Sequence, residues 1–460
     1  MESQASTRET PAQNVCLAPT RIVSAPAATT VRVSSTNGSV PTTPGTVGIV
    51  GMGYVGLPTA LALHAATIPT IGIDVSIERL RTIEAGAADL VAEDHARLSK
   101  ALADKNFRLT TDFEYLAEAD TVIICVPTPI DHHLSPDLGP LTAACRVVVE
   151  RARQGQTLIL TSTSFVGTTK QLLAEPLAER GFTIGKDIFV AFSPERIDPG
   201  NSQHAQSETP RVVGGMTQKC TDRAKAVLEF VTPIVYSVSS PEAAELTKLY
   251  ENTFRAVGIA LANEFAEICG TLSLDPIEIT NAAATKPYGF LAFYPGPGVG
   301  GHCIPCDPHY LLWQLRKVRR GAPLVQQAMT AIARRPKHVV DRAVEALSDA
   351  GRGMAGARVV VVGVSYKPGV ADVRESSALQ IIIELEARGA KVAFHDPLVE
   401  RIALSGDRRM ETVLDPHGQD WDLAIVHTVH PEHEYGWVAK CPIVLDATYR
   451  FDSASQRELV

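Results

Sequence analysis

Aromatic residues make up only 6% of this 460-residue chain, and residues 1–46 contain no Phe, Tyr or Trp at all. A segment so poor in large apolar groups, and rich in Ser, Thr, Ala and Pro, cannot bury enough surface to offset its conformational entropy. It is expected to be a disordered tail, either an inert extension or a regulatory one. Cysteine is also scarce. Eight residues spread over the whole length exclude a disulfide framework and predict reduced thiols in a cytoplasmic protein. No apolar run reaches the ~18 residues that span a bilayer, and no basic stretch leads into an apolar one at the start, so neither membrane insertion nor secretion is expected. Positive charge is in deficit too: 43 Lys and Arg against 51 Asp and Glu leave a net charge of −8. That excludes a global field attracting nucleic acid, and the basic run Arg316-Lys-Val-Arg-Arg320 reads as a solvated helix face. Anionic ligands must be held locally, by helix N-termini and single Lys or Arg side chains.

What is present is globular: 45% hydrophobic and 20% charged residues, at a length that calls for two or three domains. Short buried-strand patterns occur at Val47–Val50, Thr70–Ile73, Thr121–Val126, Thr157–Thr161 and Ile188–Phe192, with helical patterns between them. Alternation of that kind predicts a parallel sheet covered on both faces. From Pro241 to Gly270 the apolar residues Leu246, Leu249, Tyr250, Phe254, Val257, Leu261 and Phe265 recur mostly every three or four positions. They predict a long helix, used as an interdomain spine, a dimer surface or an intradomain core element. After Pro336 an α/β rhythm returns, with strands at Arg358–Val364, Lys391–His395, Trp421–Val426 and Ile443–Leu445 and a helix over Ser376–Arg388.

The first strand runs into Gly51-Met-Gly-Tyr-Val-Gly56 and then a helix over Leu57–Ala66. In that context a GxGxxG string has a physical meaning. Gly51 permits a tight turn, Gly53 lets a pyrophosphate approach the backbone, and Gly56 allows close helix–strand packing, with the helix N-terminus facing the phosphates. Asp74, closing the second strand, is placed to accept both ribose hydroxyls and to repel a 2′-phosphate, so NAD is the expected cofactor. The strand end Val361-Val-Gly-Val364 lacks the full pattern.

The segment Tyr294-Pro-Gly-Pro-Gly-Val-Gly-Gly-His-Cys-Ile-Pro-Cys-Asp-Pro308 is too rich in Gly and Pro to form a regular element before His302, and suggests a loop shaped for close approach to a ligand. Its Cys303-Ile-Pro-Cys306 admits a zinc site, a redox pair or one nucleophilic thiol with Cys306 incidental. No second ligand pair supports zinc, and a thioredoxin-like setting is absent, so the single thiol fits better. No metal is expected. Upstream, Lys248 and Asn252 lie at i and i+4 on one helix face, where they either serve the chemistry or form a solvated stripe.

With these residues in view, the chain resembles the UDP-glucose/GDP-mannose dehydrogenases. The motifs are Gly51–Pro58 (GxGYVGLP), Val126–Pro129 (VPTP), Ser193–Arg196 (SPER), Glu245–Ala256 (ELTKLYENTFRA), Pro295–Pro308 (PGPGVGGHCIPxDP) and Tyr366–Ser376 (YKPxxxDVRES). Its finer likeness is to the UDP-N-acetylglucosamine 6-dehydrogenases. The resemblance implies an α/β body of two Rossmann-like doubly wound domains joined by a long central helix. Those are an NAD-binding domain at 47–240, a central helical part with the cysteine loop at 241–335 that dimerises, and a UDP-binding domain at 336–460. By the same resemblance Cys303 is the catalytic thiol, Lys248 and Asn252 hold the oxyanion and a water, and Asp307 is an acid/base. Thr128 stands beside the reacting carbon, and Glu195 serves thioester hydrolysis.

Cofactor contact is implied for Gly51, Gly53, Tyr54, Val55, Gly56, Asp74, Arg79, Pro127, Thr128, Thr163 and Arg374. Substrate contact is implied for Glu195, Arg196, Lys248, Asn252, Arg255, Tyr294, Gly300, Gly301 and Lys367. Departures from the family pattern include Cys306, Val166, the Ala333-Arg-Arg-Pro336 segment and Asp446-Ala-Thr448. The expected reaction removes two hydrides from a primary alcohol through a thiohemiacetal and a thioester on Cys303. A one-step dehydrogenase of similar fold gives Cys303 no role. A non-enzymatic NAD sensor leaves Lys248, Asn252, Cys303 and Asp307 unexplained.

Overall fold

The computed structural model describes residues 45–90, 92–131, 133–196, 208–404, 406, 408–452 and 457–460. The expected tail therefore lies almost wholly outside the described residues. The first half alternates as the apolar pattern requires: β1 (Val47–Val50), α1 (Gly56–Ala65), β2 (Thr70–Ile73), α2 (Ile77–Glu84), α3 (Ala92–Leu102), β3 (Phe107–Thr110), β4 (Thr121–Ile124), α4 (Gly139–Arg151), β5 (Thr157–Leu160), α5 (Glu175–Glu179), β6 (Phe189–Phe192), β7 (Arg211–Gly215), α6 (Gln218–Leu228) and β8 (Val235–Ser237). These strands form one sheet in the order β3-β2-β1-β4-β5-β6-β7-β8, parallel except where β7 runs against β6. The order reverses between β1 and β4, and in an open parallel sheet ligands bind in the crevice at that point, beyond the carboxyl ends of the strands.

The middle is helical: α7 (Pro241–Thr271), α8 (Pro276–Ala284), α9 (Cys303–Lys317) and α10 (Pro323–Asp349). The second sheet follows, from β9 (Arg358–Val362), α11 (Ser377–Ala387), β10 (Lys391–His395), the small hairpin pair β11 (Arg401–Ala403) and β12 (Arg409–Glu411), then β13 (Leu423–Val426), β14 (Val444–Asp446) and β15 (Arg457–Leu459). Its order is β10-β9-β13-β14-β15, all parallel. Central strands β1, β4, β5, β9 and β13 are almost entirely buried, which is why they read as unbroken Val/Ile/Leu runs instead of alternating ones.

Two expectations shift. The division drawn between Arg335 and Pro336 falls inside α10, which passes through the proline unbroken. A helix proline loses one backbone bond and costs about 3 kcal/mol, but Ile332, Arg335, Pro336, Val339, Val340 and Ala343 are all buried along this helix, and that packing offsets the loss. The second shift concerns α7. Its inward face holds Ala244, Glu245, Lys248, Leu249, Asn252, Thr253, Ala256, Ala260, Asn263 and Ala266, small and polar side chains among them, whereas Leu246, Tyr250, Phe254, Leu261, Phe265, Ile268 and Leu272 point outward. Of the predicted stripe, only Leu249 is fully buried and Val257 partly so. Most of the apolar face of α7 is thus turned away from the chain's own core.

Candidate active site

The fingerprint turn has the geometry its glycines permit. Gly51 sits at φ +95°, and a Cβ there would lie 2.5 Å from the Cys125 carbonyl oxygen, while one on Gly56 would meet Gly51 O at 1.8 Å. Gly53 differs, since a Cβ there meets nothing within 4 Å. Its missing side chain leaves open room beside the start of α1, where Val55 gives no side-chain cap and the first turn carries no acidic residue. Uncapped N–H groups beside an open glycine suit a pyrophosphate. The Asp74 carboxylate accepts from Met52 N (2.7 Å) and Ser76 N (2.9 Å), and Arg79 Nε donates to Met52 O (2.8 Å), so both side chains fix the turn from β2 and α2. Asp74 stays half-buried and keeps acceptor capacity for a ribose. Pro127, Thr128 and Thr163 follow β4 and β5 at the same edge of the sheet. These residues fit a dinucleotide.

A second group gathers on α7 and α9. Lys248 and Asn252 are both buried, which removes the solvated-stripe reading. Asn252 Nδ2 donates to Asp307 Oδ2 at 2.5 Å. Burial drives the Asp307 carboxyl up to about 6, against the opposing pull of the Lys248 cation and the Asn252 hydrogen bond. Cys303 is the first residue of α9 and half-exposed, and Asp307 follows it by four positions, on the same helix face. This helix start places the positive end of a helix dipole at the thiol. Neither Cys303 nor Cys306 is in a disulfide. Burial pushes the Cys306 thiol up to about 12, with Asp307 and Glu375 adding to the effect, so it stays protonated. Among the described residues no group of three or more His, Cys, Asp or Glu could hold a metal. His302, just before the nucleophile candidate, is kept neutral by burial and by the nearby Arg374 cation.

Thr128 is buried, and its carbonyl accepts from the Tyr310 hydroxyl of α9 at 3.2 Å, so α9 ties the Cys303 helix to the segment after β4. Glu195, past β6, is 9% exposed and ion-pairs with the wholly buried Arg211, while its other oxygen accepts from Arg196 N at 2.8 Å. The Arg196 guanidinium forks onto Glu251 of α7 (2.7 and 3.2 Å) and also reaches Pro210 O, so its donors hold the chain together. Arg255 stands exposed on α7. The Tyr294 hydroxyl donates to Asn281 (2.9 Å) with the Arg450 guanidinium 4.0 Å over its ring. Sequence reading missed Arg211, Glu251 and Tyr310. An arginine opening the apolar run Arg211-Val-Val-Gly-Gly was a usable signal, whereas the roles of Glu251 and Tyr310 are purely tertiary.

The glycines before Cys303 serve the chain itself. A Cβ on Gly300 would lie 2.5 Å from the Tyr366 side chain and 2.8 Å from Glu375 O, and one on Gly301, at φ +77°, would sit 3.0 Å from the Tyr366 ring. Gly301 N also donates to Arg374 O at 2.9 Å. The close approach expected of this loop is therefore to the segment between Tyr366 and Ser376, on which the half-buried Lys367 also lies. From the same segment Arg374, held by Asp372 (2.6 Å), lays its guanidinium 4.5 Å over the Tyr54 ring. One loop of the second sheet thus touches both the dinucleotide turn and the cysteine loop.

An open dinucleotide crevice, joined to a buried Lys–Asn–Asp group with a thiol at a helix start, defines a nicotinamide-dependent oxidoreductase. Comparison with known proteins makes this specific. Three models of one family match in chain order: the NAD binding domain at 45–232, the central domain at 242–331 and the UDP binding domain at 360–453. The chain is 34% identical over 345 residues to an NDP-N-acetyl-D-galactosaminuronic acid dehydrogenase of Ralstonia nicotianae, covering 73% of this chain and 79% of that one. It is 31% identical over 389 residues to a UDP-N-acetyl-D-glucosamine 6-dehydrogenase of Pseudomonas aeruginosa, covering 84% and 90%. The solved structure of a UDP-D-ManNAc dehydrogenase from Pyrococcus horikoshii superposes with a TM-score of 0.82 at 29% identity, over 90% of this chain and 98% of that one. The protein belongs to the UDP-glucose/GDP-mannose dehydrogenase family and is an NAD-dependent UDP-sugar dehydrogenase.

Proposed function

We infer that the protein oxidises the C6 hydroxymethyl of a UDP-N-acetylhexosamine, UDP-N-acetylglucosamine first among them, to the uronic acid through a covalent intermediate on Cys303. The observation that carries this is the buried Asp307, hydrogen-bonded to Asn252 of α7 beside the buried Lys248 and lying on the same face of α9 as the thiol at that helix's first residue. The fingerprint would hold NAD, which would supply the hydride acceptor, one molecule for each of the two oxidations of the sugar carbon. Asp307 takes up the hydroxyl proton, which its raised affinity favours near neutrality. The Cys303 thiolate, favoured by the helix dipole, adds to the aldehyde carbon and prevents its escape. The negative oxygen of each tetrahedral species is stabilised by Lys248 and Asn252, and losing such a donor commonly costs ~3 kcal/mol of barrier. Glu195 acts as base for the water that cleaves the thioester.

The acetamido preference rests on motif likeness and on the N-acetyl sugars in the names of the relatives above. UDP-N-acetylmannosamine, UDP-N-acetylgalactosamine and UDP-glucose are the alternatives. The same reading makes the protein a cytoplasmic homodimer or higher oligomer, joined through the outward apolar face of α7. The test is a panel of these four UDP-sugars, each limiting against excess NAD. The expected result is about two NADH and one uronic acid per sugar consumed, with an acetamido sugar preferred. One NADH with free aldehyde would overturn the covalent route, and no NADH from any of them would favour a sensor.

A further inference from the structure

Strands β4, β5 and β6 end in register, Ile124 beside Leu160 and Leu160 beside Phe192. The next residues, Cys125, Thr161 and Ser193, therefore stand in a row across the carboxyl edge of the sheet. Ser193 Oγ is buried with no hydrogen-bond partner among the described residues, and the equally buried Thr161 Oγ1 has only the weakly bonding Cys125 thiol beside it. The antiparallel β6–β7 register, Phe192 against Gly214, continues to put Glu195 opposite Arg211. Arg211 is 2% exposed, and its Nη2 donates to Glu195 Oε2. Its Nη1 is equally buried and, among the described residues, likewise unpartnered. The Cys125 thiol lies against Thr161, Glu195 and Arg211, and burial keeps it protonated.

A guanidinium N–H with no acceptor in the interior is expensive, and natural folds rarely leave one. One donor fork and two hydroxyls that can give or take a proton suit a small molecule able to do both, which is water. The place is informative. The row begins three residues before Thr128, whose carbonyl is held by Tyr310 of the Cys303 helix, and it adjoins Glu195, the base assigned to the hydrolytic step.

We propose that Arg211 is the positioning residue of Glu195, and that its free Nη1, with the hydroxyls of Thr161 and Ser193, holds the water that cleaves the Cys303 thioester. This rests on the covalent reading given above. In the step, water oxygen bonds to the acyl carbon while one of its protons passes to Glu195. The carbon–sulfur bond then breaks and its electron pair leaves on Cys303 Sγ. The product acid gives up its remaining proton to solvent. Nothing is oxidised or reduced.

The test uses the full chain, NAD and whichever UDP-sugar releases NADH in the panel. Rapid mixing follows the NADH burst, and intact mass of acid-quenched protein follows the adduct. In Arg211→Met the burst should stay within about twofold of wild type, while steady-state turnover falls roughly 100-fold and the uronyl adduct accumulates. Arg211→Lys, which keeps the charge, should recover at least about tenfold of that loss. The double change Thr161→Val with Ser193→Ala leaves the ion pair intact and should slow adduct release roughly tenfold with the burst preserved. If Arg211→Met does not fold, this second variant decides. A burst that falls together with turnover, or turnover within about threefold of wild type in both variants, overturns the proposal. Glu195→Gln separates the two levels of inference. Adduct there but in neither other variant removes the water site alone, whereas none even in Glu195→Gln removes the covalent hydrolysis on which it rests.

Discussion

Asp307 offers the sharpest quantitative test, because its environment moves its proton affinity into an accessible pH range. Burial raises the carboxyl from 3.8 to about 6, despite Lys248 and Asn252 drawing it down. That difference corresponds to roughly 3 kcal/mol in favour of the protonated form. If Asp307 acts as a base, kcat/KM should fall about tenfold per pH unit below a limb near pH 6, where an ordinary aspartate would put the limb about two units lower. The assay is NADH release at subsaturating UDP-sugar and saturating NAD, from pH 4.5 to 8.5. In Asp307→Asn the limb should vanish along with most of the activity. A wild-type profile flat down to pH 4.5 would refute the reasoning.

Stability supplies an independent reading of the same shift. The folded state binds the Asp307 proton more tightly than the unfolded chain does, so this group contributes nothing unfavourable below pH 3.8. It becomes a penalty as pH rises through the interval from 3.8 to about 6. The full penalty, up to roughly 3 kcal/mol, then persists at neutral pH. Urea midpoints of the wild type measured against Asp307→Asn should converge in slope above pH 6.5 and differ in slope between pH 4 and 6. Parallel curves throughout would mean that the carboxyl is not desolvated as the geometry indicates.

Three further outcomes are expected. Cys303→Ala should reduce turnover to background while NAD affinity, measured by fluorescence titration, stays within about twofold, because the fingerprint does not involve the thiol. Arg374→Ala should raise the KM for NAD about two- to fivefold with little change in kcat, since it removes a cation–π contact of ~0.5–1 kcal/mol on Tyr54. Tyr250→Glu with Phe265→Glu should convert the oligomer to monomer by light scattering, because these side chains are 67% and 44% exposed on the outward face of α7. A wild-type monomer would defeat that last expectation before any variant is made.

The parts legible in the sequence were those set by local chemistry. The strand–glycine–helix turn at Gly51–Gly56 and the strands β1, β2 and β10 could be placed because buried parallel strands and tight turns leave unmistakable residue patterns. Lys248 and Asn252 could be paired by helix spacing alone. What escaped were features decided by partners distant in the chain. The face on which α7 exposes Tyr250 and Phe254 depends on what its other side packs against, and hydrophobic spacing marks a stripe without saying which way it points. Pro336 looks like a helix terminus from sequence, yet neighbours spread along α10 hold the helix through it. That the Cβ directions of Gly300 and Gly301 are closed by Tyr366 and Glu375, residues of the loop after β9, likewise could not be read from the local sequence.

The comparison of the two sheets explains why only one of them announces its ligand. Each builds the same device. A glycine with positive φ ends the first strand, Gly51 at +95° and Gly363 at +78°, and the following residue donates its N–H to an aspartate past the next strand. Met52 N reaches Asp74 at 2.7 Å, and Val364 N reaches Asp396 at the same distance. There the likeness stops. Asp396 is 2% exposed and also accepts from Ser365, Leu398, Val399 and His430. Burial alone would raise its carboxyl, but those hydrogen bonds bring it down to about 2. His430 takes a hydrogen bond from Gly369 N on Nδ1, so it can only present Nε2–H to Asp396, and the carboxylate is sealed. Asp74 keeps a solvent-facing side for a ribose. Any nucleotide held by the second sheet must therefore be gripped by the loop from Tyr366 to Arg374 instead, whose residues carry no pattern beyond their charge. An Asp396→Asn change should accordingly cost fold stability and leave the KM for NAD untouched, whereas Asp74→Asn should raise the KM for NAD.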